Sequence, residues 1–214
     1  MSDPGRRMRE RVRHFSMFRE FTVADLITLA NGFAGTGSIL ATLQYLDTRD
    51  LRILWLAFSL PPIAMVLDFL DGRVARWRHE SSPLGKELDS LADLISFGVA
   101  PAVLAFAVGL RGAWDAVVLV YFVSCGLSRL ARYNVTSAAL EDDSGKVRYF
   151  EGTPIPTTVL LVALLAFLTW RGAIGPDLPF GSFRFLGGKF HPLVAIFALS
   201  GTLMISKTLR IPKP

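Results

Sequence analysis

The chain has few cysteines, few histidines and little charge. Its 214 residues include one cysteine, three histidines and 19% charged side chains, where a soluble domain carries roughly 25% charge. One cysteine, Cys125, excludes an internal disulfide and reads as a small buried hydrophobe. His14, His79 and His191 are scattered and suggest no chemistry. The charge deficit is concentrated in long runs that are almost free of ionisable groups. With 51% hydrophobic residues, 16 of them Phe, disorder and a collagen-like chain are also excluded. The net charge of +5 could suggest nucleic acid. No aromatic-lined groove or nucleic-acid module accompanies the basic residues, so none is expected as a partner.

A membrane-spanning helix needs about 20 predominantly apolar residues. Six segments qualify, near 23–46, 52–72, 86–109, 112–133, 154–171 and 191–208. Polar or Gly/Pro-rich breakers separate them, among them Asp47-Thr48-Arg49-Asp50, Ser81-Ser82-Pro83 and the stretch 172–190. The first run begins too late and is too long for a cleavable leader. Six spans put both termini on one side, and that side holds 17 of the 23 Lys and Arg. By the positive-inside rule it is the cytoplasmic side of the cell membrane. Residues 6–20 alternate Arg with Met8, Val12, Phe15, Met17 and Phe18, as suits a helix lying on an anionic surface. The expected fold is therefore an all-α integral membrane protein. It comprises a basic arm over 1–22, with an interfacial amphipathic helix, and a six-helix transmembrane domain over 23–210.

Four carboxylates interrupt the apolar pattern. Asp68 and Asp71 are three residues apart near the end of the second segment, and Asp89 and Asp93 are four apart at the start of the third. Each pair therefore shares one helix face, and Gly85 lies on the Asp89 stripe. The turn at Ser81-Ser82-Pro83 makes the two helices antiparallel. The midpoint of Asp71 and Asp89 is residue 80, and that of Asp68 and Asp93 is 80.5. At about 1.5 Å rise per residue, the two pairs meet at matching depth. A salt-bridge network with Arg73, Arg76, Arg78 and Lys86 explains one or two of them, not four. A cation pathway is the stronger competitor, since ionisable groups inside a membrane normally mark function. Hard oxygen ligands suit two Mg²⁺ or Mn²⁺ ions, and such pairs serve phosphoryl chemistry.

Written out, the segment reads Asp68-x2-Asp71-Gly72-x2-Ala75-Arg76-x8-Gly85-x3-Asp89-x3-Asp93. This resembles the signature of the CDP-alcohol phosphotransferases, membrane enzymes in which an alcohol attacks a CDP-linked lipid and CMP leaves. The resemblance implies that Asp68, Asp71, Asp89 and Asp93 bind the two metal ions and that Asp93 also acts as general base. It implies that Gly72, Ala75, Arg76 and Gly85 contact the CDP-lipid, with Ser82 either touching the nucleotide or capping the third span. The family's first span often begins Pro-Asn-x-x-Thr. Here Ala24 and Asp25 replace the first two residues and Thr28 matches, with Asn31 one turn further on. Thr28 is a candidate CDP contact; Asp25 would repel phosphate but could accept from cytosine or ribose. Asn31 fits either helix packing or ligand contact.

Three more segments resemble the branch that accepts serine: Ser96-Phe97-Gly98-Val99-Ala100-Pro101, Ser128-Arg129-Leu130-Ala131-Arg132-Tyr133-Asn134, and Phe150-Glu151-Gly152-Thr153-Pro154-Ile155-Pro156. Arg129 and Arg132 share a helix face and suit the serine carboxylate; each could equally be a positive-inside flank. The implied reaction is direct displacement on CDP-diacylglycerol by L-serine, with the acyl chains left in the membrane lipid. Glycerol phosphate or inositol phosphate as acceptor, and an archaeal-type lipid donor, remain open. A divalent-cation transporter is the alternative outside the family, although acidic positions deep in the last three segments are missing. Members of the family typically dimerise, and a homodimer is expected.

Overall fold

The computed structural model describes residues 22–78, 83–140, 149–206 and 210–212. The expected interfacial helix, Ser82, Lys146 and Arg148 lie outside them. Among the described residues seven α-helices follow in order: α1 (Val23–Thr48), α2 (Leu51–Arg78), α3 (Pro83–Asp93), α4 (Ala100–Val108), α5 (Ala113–Leu140), α6 (Val159–Trp170) and α7 (Ala195–Ile205). A π-helical segment, Leu94–Val99, joins α3 to α4 without a break. Two small antiparallel pairs depart from the all-α expectation: β1 (Tyr149–Glu151) with β4 (Arg210–Pro212), and β2 (Phe183–Phe185) with β3 (Gly188–Phe190).

Among the described residues four helical stretches are long and apolar enough to cross a membrane: Val23–Thr48, Leu51–Arg78, Leu84–Val108 and Ala113–Thr136. The last two expected segments form shorter apolar helices, Ile155–Trp170 and Pro192–Ile205, counting the 3-10 turns that begin them. Proline in the first turn of each lacks an N–H that has no partner there anyway, but it cannot sit deeper in a regular helix and so fixes where that helix begins. Large apolar side chains point outward, among them Phe33 (80% exposed) and Leu160 (74%). Such a surface is stable against lipid tails, and the chain is a membrane protein.

On α1 the pattern is inverted. The buried stripe of α1 is Thr28, Asn31, Gly35, Ser38, Thr42 and Tyr45, while Phe33 and Leu40 face outward. In lipid, apolar surface gains nothing from turning inward, so small and polar residues that permit close approach and hydrogen bonding occupy the interfaces. A Cβ on Gly35 would collide with the Ser96 hydroxyl and backbone, which brings α1 against the π segment. Ser96 Oγ there donates to Asn31 O at 3.0 Å.

Two prolines complete this scheme. Pro61 sits inside α2 and cannot donate to Ala57 O, which instead accepts from Ser38 Oγ at 2.8 Å. Pro101 cannot donate to Phe97 O, which accepts from Thr158 Oγ1 at 2.7 Å. Each orphaned carbonyl is therefore satisfied by a hydroxyl from another segment, as a water-free interior requires. The second bond pins the start of α6 to the π segment.

Elsewhere, Phe122 and Phe197 meet edge to face at 5.3 Å, joining α5 to α7. Cys125 is buried beside Gly201, in agreement with its reading as a small hydrophobe. Asp115, fully buried, accepts from the backbone N–H of Gly112 at 2.7 Å and of His191 at 2.8 Å, and pairs with His191 Nδ1. His191, which showed no role in the sequence, thus locks the approach to α7 onto the start of α5.

Gly35→Ala and Ser38→Ala test this packing. The first forces α1 off the π segment at a cost of about 1–3 kcal/mol, and the second strands a buried carbonyl at about 1–3 kcal/mol. Both lower the thermal unfolding midpoint of the purified chain in detergent, followed by circular dichroism. An unchanged midpoint for Gly35→Ala would contradict the close approach.

Candidate active site

The site is built where α2 ends and α3 begins. Asp68 and Asp71 come from one face of α2 and Asp89 from α3. One carboxylate oxygen from each lies within 4.8 Å of the other two. Asp71 is buried, Asp68 and Asp89 half-buried, and Asp89 Oδ1 is a buried oxygen with no partner. Three carboxylates this close repel strongly in a low-dielectric setting. Hard oxygen donors with one orphaned oxygen suit a divalent cation, and the triad can hold a metal ion.

Asp93 stands one turn deeper on α3 and does not join the triad. It is buried, accepts from Asn31 Nδ2 at 3.2 Å, and remains within electrostatic reach of Asp68, Asp89 and Asp71. The four acids expected in one pocket are thus arranged as three plus one. The reason is the helical step: residues four apart share a face but differ by about 6 Å along the axis.

Helix α1 supplies the donors that orient these acids. Thr28 Oγ1 lies 2.7 Å from Asp71 Oδ2 and 3.1 Å from Ala24 O, so its single proton points between them and favours the carboxylate. Asn31 is fully buried and its Oδ1 has no partner. Asp25 forms a capping box: its Oδ2 accepts from Thr22 N–H at 2.8 Å, and Thr22 Oγ1 accepts from Asp25 N–H at 3.2 Å. That duty explains a carboxylate where a phosphate neighbour would be unfavourable. The signal was present in the sequence as Thr22-x-x-Asp25, a capping pattern just before an apolar run.

At the mouth, a Cβ on Gly72 would lie 3.6 Å from Arg76 Nη1. The exposed Arg76 guanidinium therefore lies across a backbone with no side chain. Ala75 and Gly85 are half-buried nearby on the same two helices. From α5, Asn134 Oδ1 accepts from Ser90 Oγ at 3.2 Å and its Nδ2 donates to Glu87 Oε2 at 3.4 Å, tying α5 to α3. This brings Arg129 into electrostatic reach of Asp93, and its buried Nε has no partner. Arg132 turns instead toward the end of α7, its Nη1 3.5 Å from Ile205 O. The structure thus separates two arginines that the sequence grouped.

Fold and site together define a polytopic helical membrane protein with a carboxylate centre at one end of its bundle. The family model for CDP-alcohol phosphatidyltransferase matches residues 21–203, and the chain belongs to that family. It is 50% identical over 206 residues to the CDP-diacylglycerol–serine O-phosphatidyltransferase of Saccharomyces cerevisiae, covering 94% of this chain and 74% of that protein. The protein of the same name from Helicobacter pylori is 36% identical over 185 residues, 85% of this chain and 68% of the relative. One from Methanocaldococcus jannaschii is 34% identical over 148 residues, 69% of this chain and 62% of the relative.

Manganese binding, read by electron paramagnetic resonance on the purified chain, tests the triad. Asp68→Asn, Asp71→Asn and Asp89→Asn each weaken binding by about tenfold or more. Thr28→Val, which removes only an orienting bond, weakens it by about tenfold. Asp89→Asn binding as tightly as the unaltered chain would exclude the triad as the metal centre.

Proposed function

We propose that the chain transfers the phosphatidyl group of CDP-diacylglycerol to the hydroxyl of L-serine and releases CMP. The carrying observation is the carboxylate triad with Asp93 and Arg129 beside it, in a chain half identical to a relative of that name. In this reading Asp68, Asp71 and Asp89, with Asp93 completing the set, hold two Mg²⁺ or Mn²⁺ ions. When bound, such ions neutralise phosphate charge and acidify a nearby hydroxyl.

The protein's own groups do the rest. Gly72, Ala75 and Gly85 leave room for the nucleotide against α2 and α3, and Arg76 forks onto a phosphate oxygen. Ser82, outside the described residues, is a further nucleotide contact in this reading. Thr28 and Asn31 act through Asp71 and Asp93, respectively, by fixing where their carboxylates point; Asp25 acts as a cap beside them. Arg129 receives the serine carboxylate with its unpartnered Nε, a charge-assisted bond that places the hydroxyl toward Asp93. Arg132, its Nη1 toward Ile205 O, steadies the end of α7 beside the site and makes no contact with serine in this reading. Asp93 takes the hydroxyl proton as the serine oxygen bonds to the β-phosphorus and the bond to the CMP oxygen breaks. Positioning and electrostatics account for the acceleration. The acyl chains stay in the bilayer beside α2 to α5, so only the headgroup is drawn into the site.

We further propose that α6 and α7 complete a six-span bundle with their preceding turns and that the basic arm over 1–22 lies on the membrane surface. The transmembrane domain then extends over 23–210. The charge asymmetry supports a cytoplasmic site and cytoplasmic termini in the cell membrane. A homodimer belongs to the same reading.

CMP release from CDP-diacylglycerol, Mn²⁺ and candidate alcohols tests the assignment. Release is expected with L-serine, little with glycerol 3-phosphate or inositol phosphate, and none with chelator. Asp93→Asn abolishes turnover while the chain stays folded. Arg129→Ala raises the KM for serine more than that for the lipid, by about tenfold, one charge-assisted hydrogen bond. Full activity with Asp93→Asn would remove that residue from the role of base.

A further inference from the structure

A second polar site lies at the other end of the bundle. From Thr28 to Arg49, α1 rises about 30 Å, and around its far end opens a cleft of about 650 Å³. Tyr45, Arg49, Val108, Arg111, Lys189 and His191 line it, together with the loop at Ile174–Pro176. The volume falls in the range of small-ligand sites, about 300–1,000 Å³. No carboxylate is among its lining residues. Three permanent cations surround a floor that contains a polar side chain only 4% exposed, His191.

Both arginines are held in place. Arg111 donates from Nε to Phe106 O and from Nη2 to Ala107 O, both at 3.0 Å, and lies over the Phe106 ring. The rest of its fork is left for a ligand. Arg49 lies against the Tyr45 ring and occupies the left-handed region at φ 60. A helix ordinarily ends there with glycine, and a larger residue in that conformation is strained. Arginine at that position places a guanidinium on the cleft at a cost glycine would avoid. His191 is fixed by Asp115 through Nδ1, so its orientation is set by the protein. The opposite wall depends on Gly109, at φ 136, where a Cβ would lie 2.8 Å from Leu178 Cδ1 and 2.9 Å from the Gly175 backbone.

We propose that this cleft binds the phosphate group of an anionic lipid headgroup from the leaflet opposite the carboxylate centre. Three cations with no carboxylate on the lining select an anion, and guanidinium forks match phosphate oxygens. The apolar wall from Val108, Ile174 and Pro176 and the position at the ends of membrane-crossing helices favour an amphiphile over a free ion. The site is independent of the transfer reaction, since none of its residues belongs to the carboxylate centre.

Thermal unfolding of the full chain in neutral detergent with chelator provides the test. The probes are dihexanoylphosphatidylglycerol, dihexanoylphosphatidylcholine and inorganic phosphate. Arg49→Gly relieves the strained backbone and Lys189→Gln removes an exposed charge, so both variants fold, and CMP release with serine is unchanged in both. The anionic lipid is expected to raise the midpoint of the unaltered chain. Each single variant weakens its apparent affinity about fivefold to tenfold, the worth of one charge-assisted contact, and the double variant loses the response. Stabilisation by the anionic lipid alone assigns the phosphate to a headgroup. An equal response to inorganic phosphate, also lost in the double variant, assigns it to a free anion and retains the cleft as the site. No stabilisation by either anion, an equal response to the zwitterionic lipid, or a response unchanged in the double variant overturns the proposal.

Discussion

Carboxylates placed together inside a membrane protein impose the constraint around which this molecule is organised. Asp68, Asp71 and Asp89 offer oxygens within 4.8 Å of one another, and mutual repulsion alone would drive such groups apart or protonate them. They stay together because their backbones leave no freedom to separate. Two occupy one face of α2, the third faces them from α3, and Thr28 on α1 engages the most buried of the three, Asp71. In this arrangement the proposed dications resolve a stress that the fold creates. The same crowding that strains the centre is what fits it to hold a cation.

The remaining architecture serves to hold three helices around that point without water. α1 reaches the acids with a stripe of small and hydroxyl residues. Gly35 admits the π segment, Ser96 ties it to Asn31, and Asn31 in turn reaches Asp93. The π segment begins at the residue after Asp93, directly beside the site, a common place for such irregular turns. Pro61 and Pro101 release carbonyls to which the Ser38 and Thr158 hydroxyls donate. The hydroxyls distributed through apolar helices are thus structural, and their spacing follows the helix interfaces.

The two ends of the bundle are electrostatically opposite in their polar sites. One collects acids, with Arg129 and Arg76 at its margins. The other collects Arg49, Arg111 and Lys189 around a cleft without carboxylates. Charge of each sign is held at an end of the helices, where headgroups and water reach it, while the long faces between remain apolar. The buried Asp115–His191 pair belongs to the basic end as its internal anchor and is satisfied by backbone N–H groups as well as by the imidazole.

Sequence alone established the apolar segments, the hairpin between the second and third of them, and the meeting of Asp68, Asp71 and Asp89. Each follows from helical periodicity and matched chain distance, which are local quantities. It also carried the Thr22–Asp25 capping pattern, although that signal competed with a ligand role for Asp25. Only the tertiary structure separated Asp93 from the triad and Arg132 from Arg129, shortened the regular helix of the last two apolar segments, and paired Asp115 with His191 across 76 positions. Those outcomes depend on which helix lies beside which and on the rotation of each about its axis. Periodicity assigns residues to a face; packing decides what that face meets.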